Sequence, residues 1–408
     1  MEKYFVAILF SLNCLLATAQ NMPSLLSGKN INATFSIIAY DADQQEWGIA
    51  VATDNIYVGN STIYIEPGVG AFSVIAETNP DYAINGLSQL KQGATIEQAI
   101  RFTKAKDRQA HYRQVSGIDS SGNVFAFTGE ALHYWNGKAG HFPGNQFVVM
   151  GNQLGEAVLE SMASTFEQAT GTLAERLLAS LLAGQMAGGQ VTGKQSAALV
   201  VKGSNNEWYN QIDLRVDHSE EPFKELQALL NYHYGRIRLN QSIYAYHAGN
   251  TKRANTKLAE AEALLNGWNS IYSKIAFAHS LMGKDNQAVR WIQKALLENL
   301  NWKVNLPAFF YLRKHSALSS LIAPDNFKLK DWENAISMLL RLNRGQEAVE
   351  VAKEVLAKGE SSSYLQYLLG KGHAQVGDHL EAKKALAKAL EMDSGNVEAR
   401  LMLEEMNK

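Results

Sequence analysis

The sequence predicts a four-layer α-β-β-α sandwich of the α+β class, followed by an all-α helical repeat domain. Three observations carry that expectation. Short strand-like runs between residues 34 and 216 are apolar on both faces, as strands covered on both sides must be. Helical stretches arrive in pairs between those runs, which suits two stacked sheets, each covered on its outside by helices. From about Arg238 the strand pattern stops, and helices recur at a spacing of 34 residues.

A chain of 408 residues is too long for one ordinary domain, so two or three cores are expected. The balance of 38 basic against 40 acidic residues argues against nucleic acid or an anionic membrane as the main partner. Lys3, the apolar run Tyr4 to Leu16 and Ala17-Thr18-Ala19 read as a signal peptide over 1–19, too short for a transmembrane helix. The expected location is therefore exported, periplasmic or extracellular. The single cysteine, Cys14, lies inside this segment, and Ser11-Leu12-Asn13 before it make a poor lipidation signal. Cleavage after Ala19 would leave no thiol for disulfides, thiolate catalysis or metal ligation. Residues 20–33 are polar and aperiodic, a leader ahead of the fold.

The sandwich is expected over 34–235. It opens with a hairpin, Thr34 to Thr53, turning at Asp41-Ala42-Asp43-Gln44-Gln45. Ile63 to Ile65 and Val69 to Ile75 are further strands about the Pro67-Gly68 turn. Tyr82 to Phe102 has helical spacing split by Gly93, a helical hairpin. Gln114 to Asp119 and Val124 to Thr128 form a hairpin around Ser120-Ser121-Gly122-Asn123. Residues 129–150 are rich in glycine and aromatics and end in a short strand, Phe147 to Met150. Gly151-Asn152-Gln153 then leads into helices at about Glu156 to Glu167 and Thr172 to Met186. Ser196 to Lys202 and Gln211 to Val216 pair as strands, and Phe223 to Asn231 closes the domain as a helix.

Over 238–408, Ala254, Leu258 and Ala261 recur as Ala288, Ile292 and Ala295. Ala348, Ala352 and Val355 recur as Ala382, Leu386 and Ala389. A small-large-small second helix at this period resembles tetratricopeptide repeats. The last unit matches best, with Leu369-Gly370 and His373, although Ser394 stands where a proline is expected. The register breaks between the two pairs, so 297–330, with Pro307, Phe309, Phe310 and Pro324, is expected to be irregular. A protein partner is the expected ligand of such repeats.

The runs TFSIIAYD (34–41), GIAVAT (48–53), EPGVGAFSV (66–74), NPDYAINGL (79–87), HYRQVSGIDSSGNVFAFTG (111–129), GNQL (151–154), KQSAALVV (194–201) and DLRVDHSEEP (213–222) resemble the family catalogued as domain of unknown function 1028. The resemblance covers roughly 34–230. It implies an N-terminal-nucleophile (Ntn) hydrolase-like fold, which is the four-layer sandwich reached from the pattern, and it supplies no substrate. It also places Thr34 at the nucleophile position.

In Ntn chemistry a Thr, Ser or Cys at the chain start attacks an amide carbonyl, with its own α-amine as general base. That amine titrates near about 8, where a base is useful at neutral pH. The expected substrate is a small amide or peptide. An acylated amine cannot serve, so the bond between Ala33 and Thr34 must be cut, by self-catalysis or otherwise. Signal cleavage directly at Ala33 would need too long a stretch after Leu16. Uncut, Thr34 is only a strand-opening threonine.

Around it, Asn152 with the Gly151 backbone could donate to an oxyanion, or could cap a helix. Gln195 and Ser196 could line the site, or be turn residues. Asp213 and Asp217, flanking Arg215, could bind a substrate ion or orient the amine, or form a salt-bridged edge. His111, His133, His141 and His218 lack ligand spacing, so no metal is expected. Ala187-Gly188-Gly189 lacks the Lys-Ser/Thr sequel of a phosphate loop, and no cofactor is expected. The competing reading is a non-catalytic interaction or scaffold protein that works through its helical repeats.

Overall fold

The structure, a computed structural model, describes residues 33–207, 210–306 and 327–407. The signal peptide, the leader up to Asn32, and Pro307, Phe309, Phe310 and Pro324 of the irregular stretch lie outside the described residues. Two compact units divide between Leu230 and Asn231.

In the first unit, β1 (Thr34–Asp41), β2 (Glu46–Thr53), β3 (Ile63–Glu66) and β4 (Gly70–Ala76) precede α1 (Asp81–Lys91) and α2 (Ile96–Lys104). Next come β5 (Arg113–Asp119), β6 (Val124–Thr128), β7 (Lys138–Gly144) and β8 (Phe147–Leu154). Helices α3 (Val158–Gln168) and α4 (Leu173–Met186) are followed by β9 (Ser196–Gly203) and β10 (Ile212–Val216). The strands build two antiparallel sheets, β10-β9-β2-β1-β8-β7 and β3-β4-β5-β6.

Strand alternation assigns each residue to a layer. On β1, Phe35, Ile37 and Ala39 turn towards α3 and α4, where Phe35 approaches Gly184. Ile38 and Tyr40 turn the other way and pack with Trp47, Ile49 and Val148 against Ala71 and Ile118 of the second sheet. On that sheet Phe72 and Val74 face Tyr82, Ala83, Ile96 and Ile100 of α1 and α2. The order of layers is therefore helices, sheet, sheet, helices, as the pattern predicts. Gly48 marks how closely α4 lies on its sheet, since a Cβ there would strike the Leu177 side chain.

Three elements differ from the sequence expectation. Strand β8 runs on to Leu154, so Gly151, Asn152 and Gln153 belong to the sheet and not to a helix approach. The edge strand β7 lies in the stretch that reads as glycine-rich loop; it is largely exposed and carries no apolar alternation. The helix expected over Phe223 to Asn231 is longer, with α5 running unbroken from Pro222 to His247.

The second unit is helical. After α5 come α6 (Thr251–Leu264), α7 (Tyr272–Leu281), α8 (Asp285–Glu298), α9 (Leu329–Arg341), α10 (Gly345–Ala357), α11 (Ser363–Gln375), α12 (His379–Met392) and α13 (Val397–Glu405). The twelve residues of the 34-residue pattern fall on α6, α8, α10 and α12, and all are buried. Each second helix thus presses a small-large-small stripe onto its neighbours, the packing logic of tetratricopeptide-like pairs. Among the described residues no helix is long and apolar enough to cross a membrane.

Candidate functional site

Thr34 opens β1 with its side chain on the face between the two sheets, the parity it shares with Ser36 and Ile38. Its register partners are Thr53 on β2 and Asn152 on β8, and Thr53 in turn lies opposite Ser196 on β9. Four adjacent strands therefore carry polar residues in one row, Asn152–Thr34–Thr53–Ser196. None is more than 4 % exposed. One step inwards, Ser73 Oγ donates to Ser36 Oγ across the sheets at 3.1 Å, with Ser116 beside Ser73. Elsewhere the space between the sheets is filled with Ile, Val and aromatic side chains. Burying polar groups costs free energy unless each is hydrogen-bonded, so a row of them at one end of an apolar core is a local exception to how the rest is built.

The peptide in front of Thr34 is held tightly. Three donors converge on the carbonyl oxygen of Ala33: the Thr53 hydroxyl at 2.9 Å, the backbone N–H of Asp54 at 3.3 Å, and the Gln190 side-chain amide. Thr34 Oγ1 and Thr53 Oγ1 are 3.0 Å apart. Because the Thr53 proton is directed at Ala33, the Thr34 hydroxyl donates to Thr53. The result is a chain from Thr34 O–H to Thr53 O–H to the Ala33 carbonyl. Gln190 reaches it because Leu154 and Gln190 form an antiparallel bridge and Val191 N donates to the Gln153 carbonyl at 2.9 Å, which lays this loop along the end of β8.

Beside the same peptide, burial pushes the Asp54 carboxyl above the usual carboxylate range, against hydrogen bonds from Thr192 and the Ala33 backbone.

Asn152 is set by Gln114. Gln114 Nε2 donates to the carbonyls of Gly151 at 2.7 Å and Gly140 at 2.9 Å, and its Oε1 accepts from Asn152 Nδ2 at 3.0 Å. Asn152 is thus not a helix cap. It is a strand residue whose buried Oδ1 has no donor among the described residues.

The other expected site residues fall apart from the row, Ser196 excepted. Ser196 lies within it and donates to the Asn55 carbonyl at 2.9 Å. Gln195 contributes its backbone, donating to the Thr53 carbonyl at 3.0 Å, while its side chain lies 3.5 Å from His218. Asp213 sits opposite Val200, four residues along β9 from Ser196, and is taken up by Arg215 at 2.8 and 3.1 Å on the exposed edge. Asp217 follows the end of β10, exposed. The hydrogen bond that Arg215 donates to Asp213, then the charges of Asp213 and Asp217, hold the Arg215 guanidinium above its usual range. This edge is a charged surface lattice.

Sequence reading missed Thr53, Asp54, Gln114 and Gln190. Thr53 carries a weak signal, a hydroxyl closing an otherwise apolar strand at the far end of the Thr34 hairpin. Gln190 carries none, being 157 residues from the atom it holds.

A buried polar row at one end of a two-sheet, helix-covered sandwich is the setting in which the chain meets its relatives. Residues 34–226 match the model of the family of unknown function DUF1028, and this part of the chain is a DUF1028 domain. Among solved structures, the crystal structure of protein SPO2555 from Silicibacter pomeroyi, described with the DUF1028 family model, is 29 % identical. The match covers 48 % of this chain and 84 % of that one, with a TM-score of 0.45. The crystal structure of the P58(IPK) TPR domain matches at 14 % identity, covering 42 % of this chain and 55 % of that one, with a TM-score of 0.21. No curated protein matches the sequence.

Proposed function

We propose that the protein is an exported Ntn-type amide hydrolase whose nucleophile is the Thr34 hydroxyl, released by cleavage of its own Ala33–Thr34 bond. The observation that carries this reading is the Ala33 carbonyl, held by three donors directly ahead of a buried hydroxyl. Thr34 Oγ1 and the Ala33 carbonyl carbon close a five-membered ring, so attack needs no large movement. The Oγ–C bond forms as the hydroxyl proton passes to Thr53, which gives its own proton to the Ala33 oxygen, and that proton is later handed to the departing nitrogen. The negative charge developing on the Ala33 oxygen meets the Thr53 hydroxyl, the Gln190 amide and the Asp54 N–H, which is oxyanion stabilisation. The C–N bond then breaks as the nitrogen takes up a proton, leaving an ester on Thr34. Water hydrolyses the ester to an Ala33 carboxylate and a Thr34 with a free α-amine.

That amine is the general base for later turnovers on a small amide or peptide substrate. Gln190, the Asp54 N–H and Asn152 are the groups placed to receive its acyl oxygen. The helical repeats recruit a protein partner.

Intact-mass measurement and N-terminal sequencing of the purified protein test the reading. The expected chain begins at Thr34 and takes up one equivalent of a β-lactone electrophile there, and Thr34→Ala retains residue 33. A stable, folded wild-type chain that keeps its leader would overturn it.

A further inference from the structure

Residue 33 lies in a cradle made by two short segments, Thr53-Asp54 at the end of β2 and Gln190 to Thr192 of the loop bridged to β8. Its carbonyl oxygen takes three donors, two from the first segment and one from the second. Its backbone N–H faces the Asp54 carboxyl. Its methyl is enclosed, Ala33 being 0 % exposed. The Thr192 hydroxyl donates to Asp54 Oδ2 and fixes the carboxyl in place. The other oxygen, Oδ1, is buried and has no hydrogen-bond partner among the described residues. No cation among them offsets the charge either. Asp107, another carboxylate of this unit that burial penalises, has Arg113 at 2.9 Å. A buried carboxylate oxygen costs free energy unless a donor reaches it. The cradle therefore holds an acceptor that the uncut chain leaves unused.

We propose that this cradle, emptied when the leader departs, is the acyl-side subsite of the cut enzyme and selects amides of small α-amino acids that carry a free amine. The substrate's acyl residue takes the place of Ala33. Its ammonium donates to Asp54 Oδ1, a charge-assisted bond that the neutral N–H of a peptide cannot match. Its carbonyl oxygen faces Gln190 and the Asp54 N–H, and its side chain occupies the space of the Ala33 methyl. Thr34 Oγ then bonds to the carbonyl carbon while its proton passes to the Thr34 amine. The C–N bond breaks as the departing nitrogen takes that proton, and water hydrolyses the ester to the free amino acid. Asp54 binds and orients the substrate and takes no part in the bond changes. The inference rests on the Ala33–Thr34 cut and deepens it by naming the acyl group.

The test compares four primary amides by ammonia release from wild-type protein whose intact mass and lactone labelling are measured alongside: L-alaninamide, N-acetyl-L-alaninamide, propionamide and L-leucinamide. All four share the smallest leaving group, so only the acyl side differs. The second blocks the amine, the third lacks it and the fourth enlarges the side chain. The kcat/KM of L-alaninamide should exceed that of each of the others by about tenfold or more. Asp54→Asn keeps the backbone N–H and the shape, and should narrow the alaninamide-to-propionamide ratio to about threefold or less while leaving alaninamide ahead of leucinamide. If this variant does not fold or is not cut, the wild-type ratios decide. A cut, lactone-reactive chain that hydrolyses any of the other three as fast as alaninamide, or that hydrolyses none of the four, would overturn the subsite and leave Thr34 standing. An unchanged ratio in folded, cut Asp54→Asn would overturn it as well. A chain that stays uncut would overturn both readings.

Discussion

The head of β1 and the edge of β10 both gather polar side chains at one end of the same sheet, and they could hardly differ more. At β1 the residues are neutral and almost fully buried, Thr34 and Thr53 are linked, and three donors serve a single carbonyl. At β10 they are charged, exposed and satisfied pairwise by Asp213 and Arg215. From sequence the second group looks the more chemical, because it holds the ionisable residues. In the fold the first group is the informative one. A buried hydroxyl or amide is retained against a desolvation cost, whereas an exposed ion pair contributes little either way.

The largest expected effect lies at Thr53. Thr53→Val keeps the branched shape and the strand but removes the hydroxyl between Thr34 and the Ala33 carbonyl. Loss of one oxyanion donor of this kind slows a reaction by roughly 10²–10³-fold. Conversion of the full-length chain to the Thr34 form, followed by intact mass over time, should slow by that order, and Thr53→Ser should restore it. Conversion of Thr53→Val at the parent rate would reduce the row to packing. Gln190→Leu should slow the same conversion without changing the unfolding midpoint by more than a residue of its burial would.

Next in size is a stability effect at Gln114. Gln114→Leu strips hydrogen bonds from the Gly151 and Gly140 carbonyls and from Asn152 Nδ2 while filling a similar volume. Stranded buried polar groups of this kind cost on the order of 3 kcal/mol together. The urea midpoint of the first unit should fall accordingly, with the second unit unaffected. An unchanged midpoint would mean that water already serves these groups.

These residues also show what the sequence could and could not reveal. The strands, the paired helices and the 34-residue stripe were legible because periodicity reports burial directly, from Ile37 and Ile38 on β1 to Ala382, Leu386 and Ala389 on α12. Strand β7 was not, since an exposed edge built of Lys138, Gly140, Pro143 and Gly144 has no core face to imprint an alternation. Gly151-Asn152-Gln153 read as the approach to a helix because polar residues normally end a strand; here they continue it past Thr34, where a polar layer replaces the apolar one. Thr34 was marked by the family resemblance. Gln190 and Gln114 reach the row through sheet pairing and a loop bridge, which no local spacing encodes.

Two aspartates extend the comparison to pH. Burial raises Asp54, so its contribution runs against folding once pH passes about 3.8 towards its higher folded value. Asp54→Asn should therefore stabilise the uncut protein at neutral pH, with the gain vanishing in acid. Asp107 is also penalised by burial, but the hydrogen bond and charge of Arg113 and the Gln109 N–H outweigh it, and its carboxyl is held low. Its contribution is present above about 3.8 and lost as pH falls through the lower folded value. Asp107→Asn should lower stability at neutral pH and flatten the acid limb of the unfolding curve. Curves of the same sign for the two variants would show that burial alone governs both sites.

The smallest expected effect belongs to Asp213, and it bears on the comparison as directly as the largest. Asp213→Asn removes one partner of an ion pair whose side chains are 46 % and 41 % exposed, so solvent screens most of what it could contribute. Stability should move by no more than about 0.5 kcal/mol, and less at high salt. Conversion to the Thr34 form should keep its parent rate, because Asp213 lies four residues along the sheet from the polar row. A clear loss of conversion in this variant would mean that the charged edge acts on the Ala33 peptide through the sheet. Burial would then no longer separate the two clusters.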